Sequence, residues 1–162
     1  MNRDIRTILL TVLAGAVLIG GGLLWFIYHG VSAQEDPSAM ETALANWVRN
    51  ASVSVSSGTE KNPIPQTPEN LKEGREDFEN MCAGCHANNG SGTRTMAAHM
   101  YPRSPDLRAK STQDLTDAEI FYIIRNGIRL SGMPAWPRQT TEDNWKLVLF
   151  IRHLPALRPD EE

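Results

Sequence analysis

An all-α fold is predicted for this chain, several short helices packed around one site and preceded by a single helix long enough to span a membrane. Three observations predict it. Residues Ile8–Tyr28 form a run of 21 residues without a charge. Four later stretches open with helix-capping chemistry, at Ser38, Thr67-Pro68, Thr116 and Thr140 or Thr141, and continue with apolar residues three and four apart. The pentapeptide Cys82-Ala83-Gly84-Cys85-His86 stands at the end of the second of these.

The chain has 162 residues and a net charge of -3, enough for one domain with appendages and with no basic surplus to suggest nucleic acid. Its organisation reads as three parts. Residues 1–30 are a cytoplasmic N-terminus and transmembrane anchor, or a signal peptide. Residues 31–66 are a short amphipathic helix and a flexible linker, and residues 67–162 a folded domain. That last part is only 96 residues long, small for an apolar core.

Ile8–Tyr28 as a helix is about 31 Å long, which crosses a bilayer core. Arg3 and Arg6 precede it, and Glu35 and Asp36 follow. The basic flank stays in the cytoplasm, so the remainder is exported to the periplasmic or outer side of a single-pass inner (cell) membrane protein. Trp25, Phe26 and Tyr28 fall where an aromatic belt forms at the outer interface, with His29 beside them. Ala16 and Gly20 are a small-xxx-small pair on this helix. Val31-Ser32-Ala33 offers the competing reading, a cleavage site, although the apolar run is longer than a usual signal core.

Ser38 with Glu41 has capping-box spacing and predicts a helix over Ala39–Asn50. Met40, Ala43, Leu44, Trp47 and Val48 share one face, suited to the domain, the membrane surface or a partner. Ala51–Gln66, with its serines, Gly58, Pro63 and Pro65, shows no periodicity and reads as linker.

Thr67 as N-cap and Pro68 at the first helical position start a helix that runs to Met81, with Leu71, Gly74, Phe78 and Met81 on one face. Gly74 costs about 1 kcal/mol in helix propensity, which points to a close helix approach. The helix delivers Cys82-Ala83-Gly84-Cys85-His86. C-x-x-C-H is the pattern of covalent haem attachment: two thiols on one turn reach two vinyl groups, and the next side chain is an imidazole that meets the iron. Both cysteines are then used. A disulfide, a thioredoxin-like pair and a zinc site with His99 are the alternatives. No βαβ context supports the second, and the spacing suits zinc poorly.

Ala87–Lys110 reads as loop, with turn chemistry at Asn88-Asn89-Gly90-Ser91-Gly92 and with Pro102 and Pro105 barring regular helix. A carbonyl near Pro102 or Pro105 is expected to accept the other ring N–H of His86. Arg94, Arg103, Arg108 and Lys110 against Asp106 give this loop a charge of +3, available to haem propionates or an acidic partner, or simply solvated. Thr116 and Glu119 form a capping box for a helix through Ile120, Phe121, Ile123 and Ile124 to Asn126, with Gly127 as its stop. In Ile128–Pro137, Gly132 and Pro134 bracket Met133. Met133 is the leading candidate for sixth iron ligand, a thioether that favours reduced iron. Met96 and Met100 are the rivals, Met40 and Met81 are badly placed, and His99 and His153 are weaker candidates. The last helix is capped by Thr140 or Thr141 and ends before Pro155. It carries Trp145, Val148, Leu149 and Arg152 on one face and Leu147, Phe150, Ile151 and Leu154 on another, so it is expected to be largely buried, with Phe150 on Gly74 and Phe78. The tail 158–162 is expected to fray.

Over roughly Thr67–Leu157 the chain resembles a class I cytochrome c. The resemblance rests on Gly74 and Phe78 ahead of the C-x-x-C-H motif, Asn126-Gly127, the Gly132-Met133-Pro134-Ala135-Trp136 loop, and Phe150 in a final helix. It implies an all-α cytochrome c-like fold around one covalent haem c, crossed first and last helices, His86/Met133 ligation and reversible one-electron transfer. No adjacent Gly-Pro pair follows the haem motif, which is a departure. The expected function is a membrane-anchored monohaem electron carrier, or a subunit of a respiratory or photosynthetic electron-transport complex. Its partners are redox proteins and, through residues 8–28, membrane lipid. Neither a catalytic side chain nor a small organic substrate is expected. A haem peroxidase or a gas or redox sensor, with a labile sixth ligand, is the alternative.

Overall fold

A computed structural model describes residues 2–30, 32–93 and 96–157, and the described residues form helices and turns without a strand. Val31 of the alternative cleavage site, Arg94 of the basic loop and the tail 158–162 lie outside the described residues. The chain divides into two compact units, one up to Ser32 and one from Ala33 onward.

The first unit is α1 (Arg3–His29), 27 residues of high mean hydropathy with none buried against protein. At 1.5 Å per residue it is about 40 Å long. It is long and apolar enough to cross a membrane, a test that a signal sequence also meets. The hydroxyls of Thr7 and Thr11 donate to the carbonyls of Arg3 and Thr7, one turn back, so these polar groups are satisfied within the helix. The His29 ring stacks on Trp25 at 4.6 Å and is held by the Trp25 carbonyl at 2.9 Å.

In the second unit, α3 (Pro68–Met81) and α7 (Thr141–His153) form the central pair. Local sequence starts both. The Thr67 hydroxyl accepts from the Asn70 N–H at 3.2 Å, and the Thr140 hydroxyl from the Asp143 N–H at 3.1 Å. The helices cross at Gly74. A Cβ there would run into the Lys146 carbonyl oxygen, with its carbon 2.8 Å away and Phe150 Cβ at 3.3 Å. One turn on, Phe78 and Phe150 meet with ring centroids 5.3 Å apart. Lys146 braces the same crossing: its stem is covered while its ammonium reaches Glu73 at 2.6 Å and Glu142 at 2.7 Å. Its hydrogen bonds to Glu142 first and then to Glu73 hold this lysine protonated above its ordinary range. The core gathers behind the pair, with Phe78, Leu147, Val148 and Leu154 almost wholly buried. As expected, α7 is buried along most of its length, from Asn144 through Ile151.

α6 (Asp117–Asn126) lies against α7 and has both halves of the capping box: Glu119 N–H to Thr116 Oγ1 at 3.2 Å, and Thr116 N–H to Glu119 Oε2 at 2.7 Å. Phe121 stacks on Trp145 at 4.3 Å. Arg152 locks the two helices, donating to Asp117 Oδ1 at 2.9 Å, to the Gln113 carbonyl at 2.7 Å and to the Leu115 carbonyl. A one-turn helix, α5 (Lys110–Gln113), precedes α6, and a 3₁₀ turn over Ala97–His99 interrupts the stretch read as loop.

The linker expected from Ala51 is shorter than that. α2 runs Ala39–Ser56, so Ala51–Ser56 are its last turns, stabilised by burial of Val53, a contact invisible to local periodicity. Nor is the far end of the segment free. Asn62 donates its backbone N–H to Asp117 Oδ2 (3.2 Å) and its side-chain amide to the Trp145 carbonyl (2.8 Å), strapping the chain across α6 and α7. The face expected to dock, with Met40, Leu44, Trp47 and Val48, is exposed.

Gly74→Ala places a methyl against backbone that cannot yield. It is expected to lower stability by about 1–3 kcal/mol despite the better helix propensity of alanine. Urea unfolding of the haem-loaded protein checks this, with a lower midpoint as the expected outcome.

Candidate functional site

The motif sits where α3 hands over to a single helical turn, α4 (Ala83–His86). Cys82 closes α3 through its N–H to the Phe78 carbonyl (2.8 Å), and its own carbonyl accepts the N–H groups of Cys85 (3.0 Å) and His86 (2.9 Å). That turn brings the two cysteines and the histidine together, and both thiols are free. Burial first, then the charges of Asp77 and Cys85, push the Cys82 thiol up to about 12. Cys82 is therefore a protonated thiol at neutral pH, unlike the thiolates of redox pairs and metal sites. Among the described residues no three His, Cys, Asp or Glu side chains converge as a metal cluster.

The His86 ring is largely buried, and burial lowers its pKa, which keeps the imidazole neutral and able to ligate. The Pro105 carbonyl opposes that shift from behind the ring. Nδ1 is buried without a hydrogen bond of good geometry, so this is a near contact, electrostatic and short of a full bond. Of the two prolines proposed as carbonyl sources, Pro105 is the one that faces His86. Gly92 lets it come close. Its φ is +70°, and a Cβ would stand 2.5 Å from the Ser104 oxygen and 2.9 Å from the Pro105 oxygen. The Gly92 N–H also donates to the His86 carbonyl at 2.9 Å. The glycine and the proline that the sequence does not place side by side thus meet in space.

On the other loop, Met133 is half-buried and held through its backbone. Ile128 N–H donates to its carbonyl (3.3 Å), the Ser131 hydroxyl accepts from its N–H (3.2 Å), and Trp136 N–H reaches the Ile124 carbonyl (3.3 Å). Gly127, at φ +67°, makes this possible: a Cβ would meet Ala135 N and Pro134 C at 2.7 Å and the Met133 oxygen at 2.8 Å. The rivals are not far away. The Met100 methyl lies against Gly132, and the Met96 sulfur is 3.8 Å from Cys85 Sγ. Met96 is exposed, however, whereas Met133 is half-buried in a loop held by the bonds above. His99 lies in the 3₁₀ turn, His153 ends α7, and His29 belongs to α1. The loop cations are paired: Arg103 with Asp36 (2.7 Å), Arg108 with Asp106 (2.9 Å) and Lys110 with Asp114 (2.6 Å). All three are surface pairs of small energetic weight.

Residues 69–151, just over half of the chain, match the family of cbb3-type cytochrome c oxidase subunit III. The chain belongs to this family. It is a cytochrome c domain, and the activity of such domains is haem-based electron transfer. The all-helical architecture with a long apolar N-terminal helix agrees with the fold expected from the sequence. No curated protein is detectably similar to the chain. The cytochrome c family implies haem c, and the residues here suit it: two free thiols and a neutral imidazole on one turn, with a buried Nδ1 whose hydrogen bond to Pro105 is incomplete.

Gly127→Ala strains a positive φ and pushes away the segment that carries Met133. The expected result is a loss of about 1–3 kcal/mol and, if Met133 ligates the iron, faster carbon monoxide binding to the reduced protein as its loop is loosened. Denaturant unfolding and stopped-flow mixing measure the two effects.

Proposed function

We propose that this chain is a membrane-anchored monohaem c-type cytochrome that passes single electrons between redox proteins. The observation that carries the proposal is the α4 turn, which sets Cys82, Cys85 and His86 in one place with the Pro105 carbonyl behind the imidazole. Cys82 and Cys85 would hold the haem by thioether bonds, and His86 and Met133 would ligate its iron. When bound, haem c supplies a one-electron couple. The chain's own residues keep the imidazole neutral, fix the methionine through backbone bonds and surround the site with the apolar core of α3, α6 and α7. No side chain is needed as acid, base or nucleophile, so the protein is a carrier or a subunit of an oxidase or other electron-transport complex rather than a catalyst in itself.

α1 is the anchor in this reading, single-pass in the inner membrane. Arg3 and Arg6 remain on the cytoplasmic side, and the haem domain faces the periplasm. The tether raises the effective concentration of the domain near membrane-bound donors and acceptors.

The optical spectrum of the purified protein tests the ligation. A long-wavelength sulfur-to-iron band in the ferric state is expected. Covalent haem without that band would instead leave the sixth position to a labile ligand and favour a sensor or peroxidase. Cys82→Ser combined with Cys85→Ser is expected to abolish haem staining after denaturing electrophoresis. Met133→Ala is expected to lower the reduction potential and open the iron to carbon monoxide; an unchanged potential would hand the role to Met100 or Met96.

A further inference from the structure

α2 is amphipathic the wrong way round for a helix that belongs to a water-soluble domain. At 3.6 residues per turn, Met40, Leu44, Trp47, Val48 and Val55 lie on one face, about 180° from Arg49 and Val53. It is the second face that meets the domain. Val53 is buried, Arg49 is half-buried, and Glu41 at the edge accepts a hydrogen bond from Tyr101. The apolar face is left outward, with Met40 82%, Leu44 61%, Trp47 69% and Val55 88% exposed. Folding the domain therefore fixes the helix without covering its apolar stripe.

We propose that this stripe lies on the outer surface of the bilayer, so that α2 is an interfacial helix fixed to the haem domain. The inference rests on α1 being a retained membrane anchor. Three observations favour lipid over another occupant. Residues 30–38 alone separate the end of α1 from the start of α2, and fully extended they reach about 30 Å, so the stripe cannot stray far from the membrane. The stripe itself carries no charged side chain. Glu41 at its edge is engaged by Tyr101, and Arg49 on the opposite face by the Asn50 side chain at 3.0 Å. Its composition of tryptophan, leucine, methionine and valine, with alanines between, is that of a helix that beds into the headgroup boundary. Because Arg103 pairs with Asp36 just before α2 and Tyr101 binds Glu41, the same contacts that hold the helix to the domain would set how the domain faces the membrane.

Photo-crosslinking in the full-length, haem-loaded protein tests this. A benzophenone amino acid is placed by Leu18→p-benzoylphenylalanine in α1, by Leu44→p-benzoylphenylalanine on the stripe and by Asn50→p-benzoylphenylalanine on an exposed position outside it. Each variant is reconstituted in nanodiscs of phosphatidylethanolamine and phosphatidylglycerol, irradiated and read by mass spectrometry. Lipid adducts at positions 18 and 44, with a yield at 44 about tenfold or more above that at 50, are the expected result. Lipid adducts at 18 with none at 44, or with a cross-linked second copy at 44, would overturn the interfacial helix and leave the anchor standing. No lipid adduct at 18 would overturn the anchor and the inference with it.

Discussion

The backbone contact between Gly74 and Lys146 is the constraint on which the second unit depends. Because α3 has no side chain at Gly74, it meets α7 at the Lys146 carbonyl, and the pair crosses at one place only. That crossing brings Phe78 onto Phe150 and fixes the direction in which α3 ends. Cys82 is the cap of α3, and α4 begins on the next residue. The position of the thiols and of His86 is thus inherited from a helix crossing two turns away. Lys146 contributes twice, by its carbonyl as the surface of contact and by its ammonium as a bridge between Glu73 and Glu142.

Two further glycines hold the loops on either side of the motif. Gly92 admits the 104–105 backbone behind His86, and Gly127 admits the 133–135 backbone beside the end of α6. Both have positive φ, and both are packed against backbone rather than against side chains. Loops held in this way by backbone contacts leave little room to shift, which suits a centre that has to change oxidation state with little rearrangement.

Much of this was legible in the sequence because it is local. Thr67, Thr116 and Thr140 mark helix starts through bonds that span three residues, and the C-x-x-C-H spacing acts within one turn. Gly74 and Phe150 were legible as a pair only because an unfavourable residue in a helix asks for a reason. What the sequence hid is long-range. Asn62 reaches residues 55 and 83 positions away, and no local pattern marks it. Val53 extends α2 through a tertiary contact that a serine-rich stretch does not advertise. Pro105 is separated from Pro102 only by which of them the chain folds back on His86. Asn144 is wholly buried within α7 on a stretch read for its apolar residues, and its amide has no hydrogen-bond partner among the described residues.

The strap at Asn62 has a mechanical consequence. In the proposed membrane-anchored protein, the domain is pulled whenever α1 drifts in the membrane while the domain is engaged with a partner. Had the chain entered the fold at Thr67, the load would fall on the first turn of α3 and could peel that helix open one bond at a time. The load instead meets the contacts of Asp36, Glu41 and Val53 first, and what passes them reaches Asn62, which shares it between Asp117 of α6 and the Trp145 carbonyl of α7, two helices already locked by Arg152. Tension is met as shear across several bonds at once, and the helix that presents Cys82 and His86 is spared the strain.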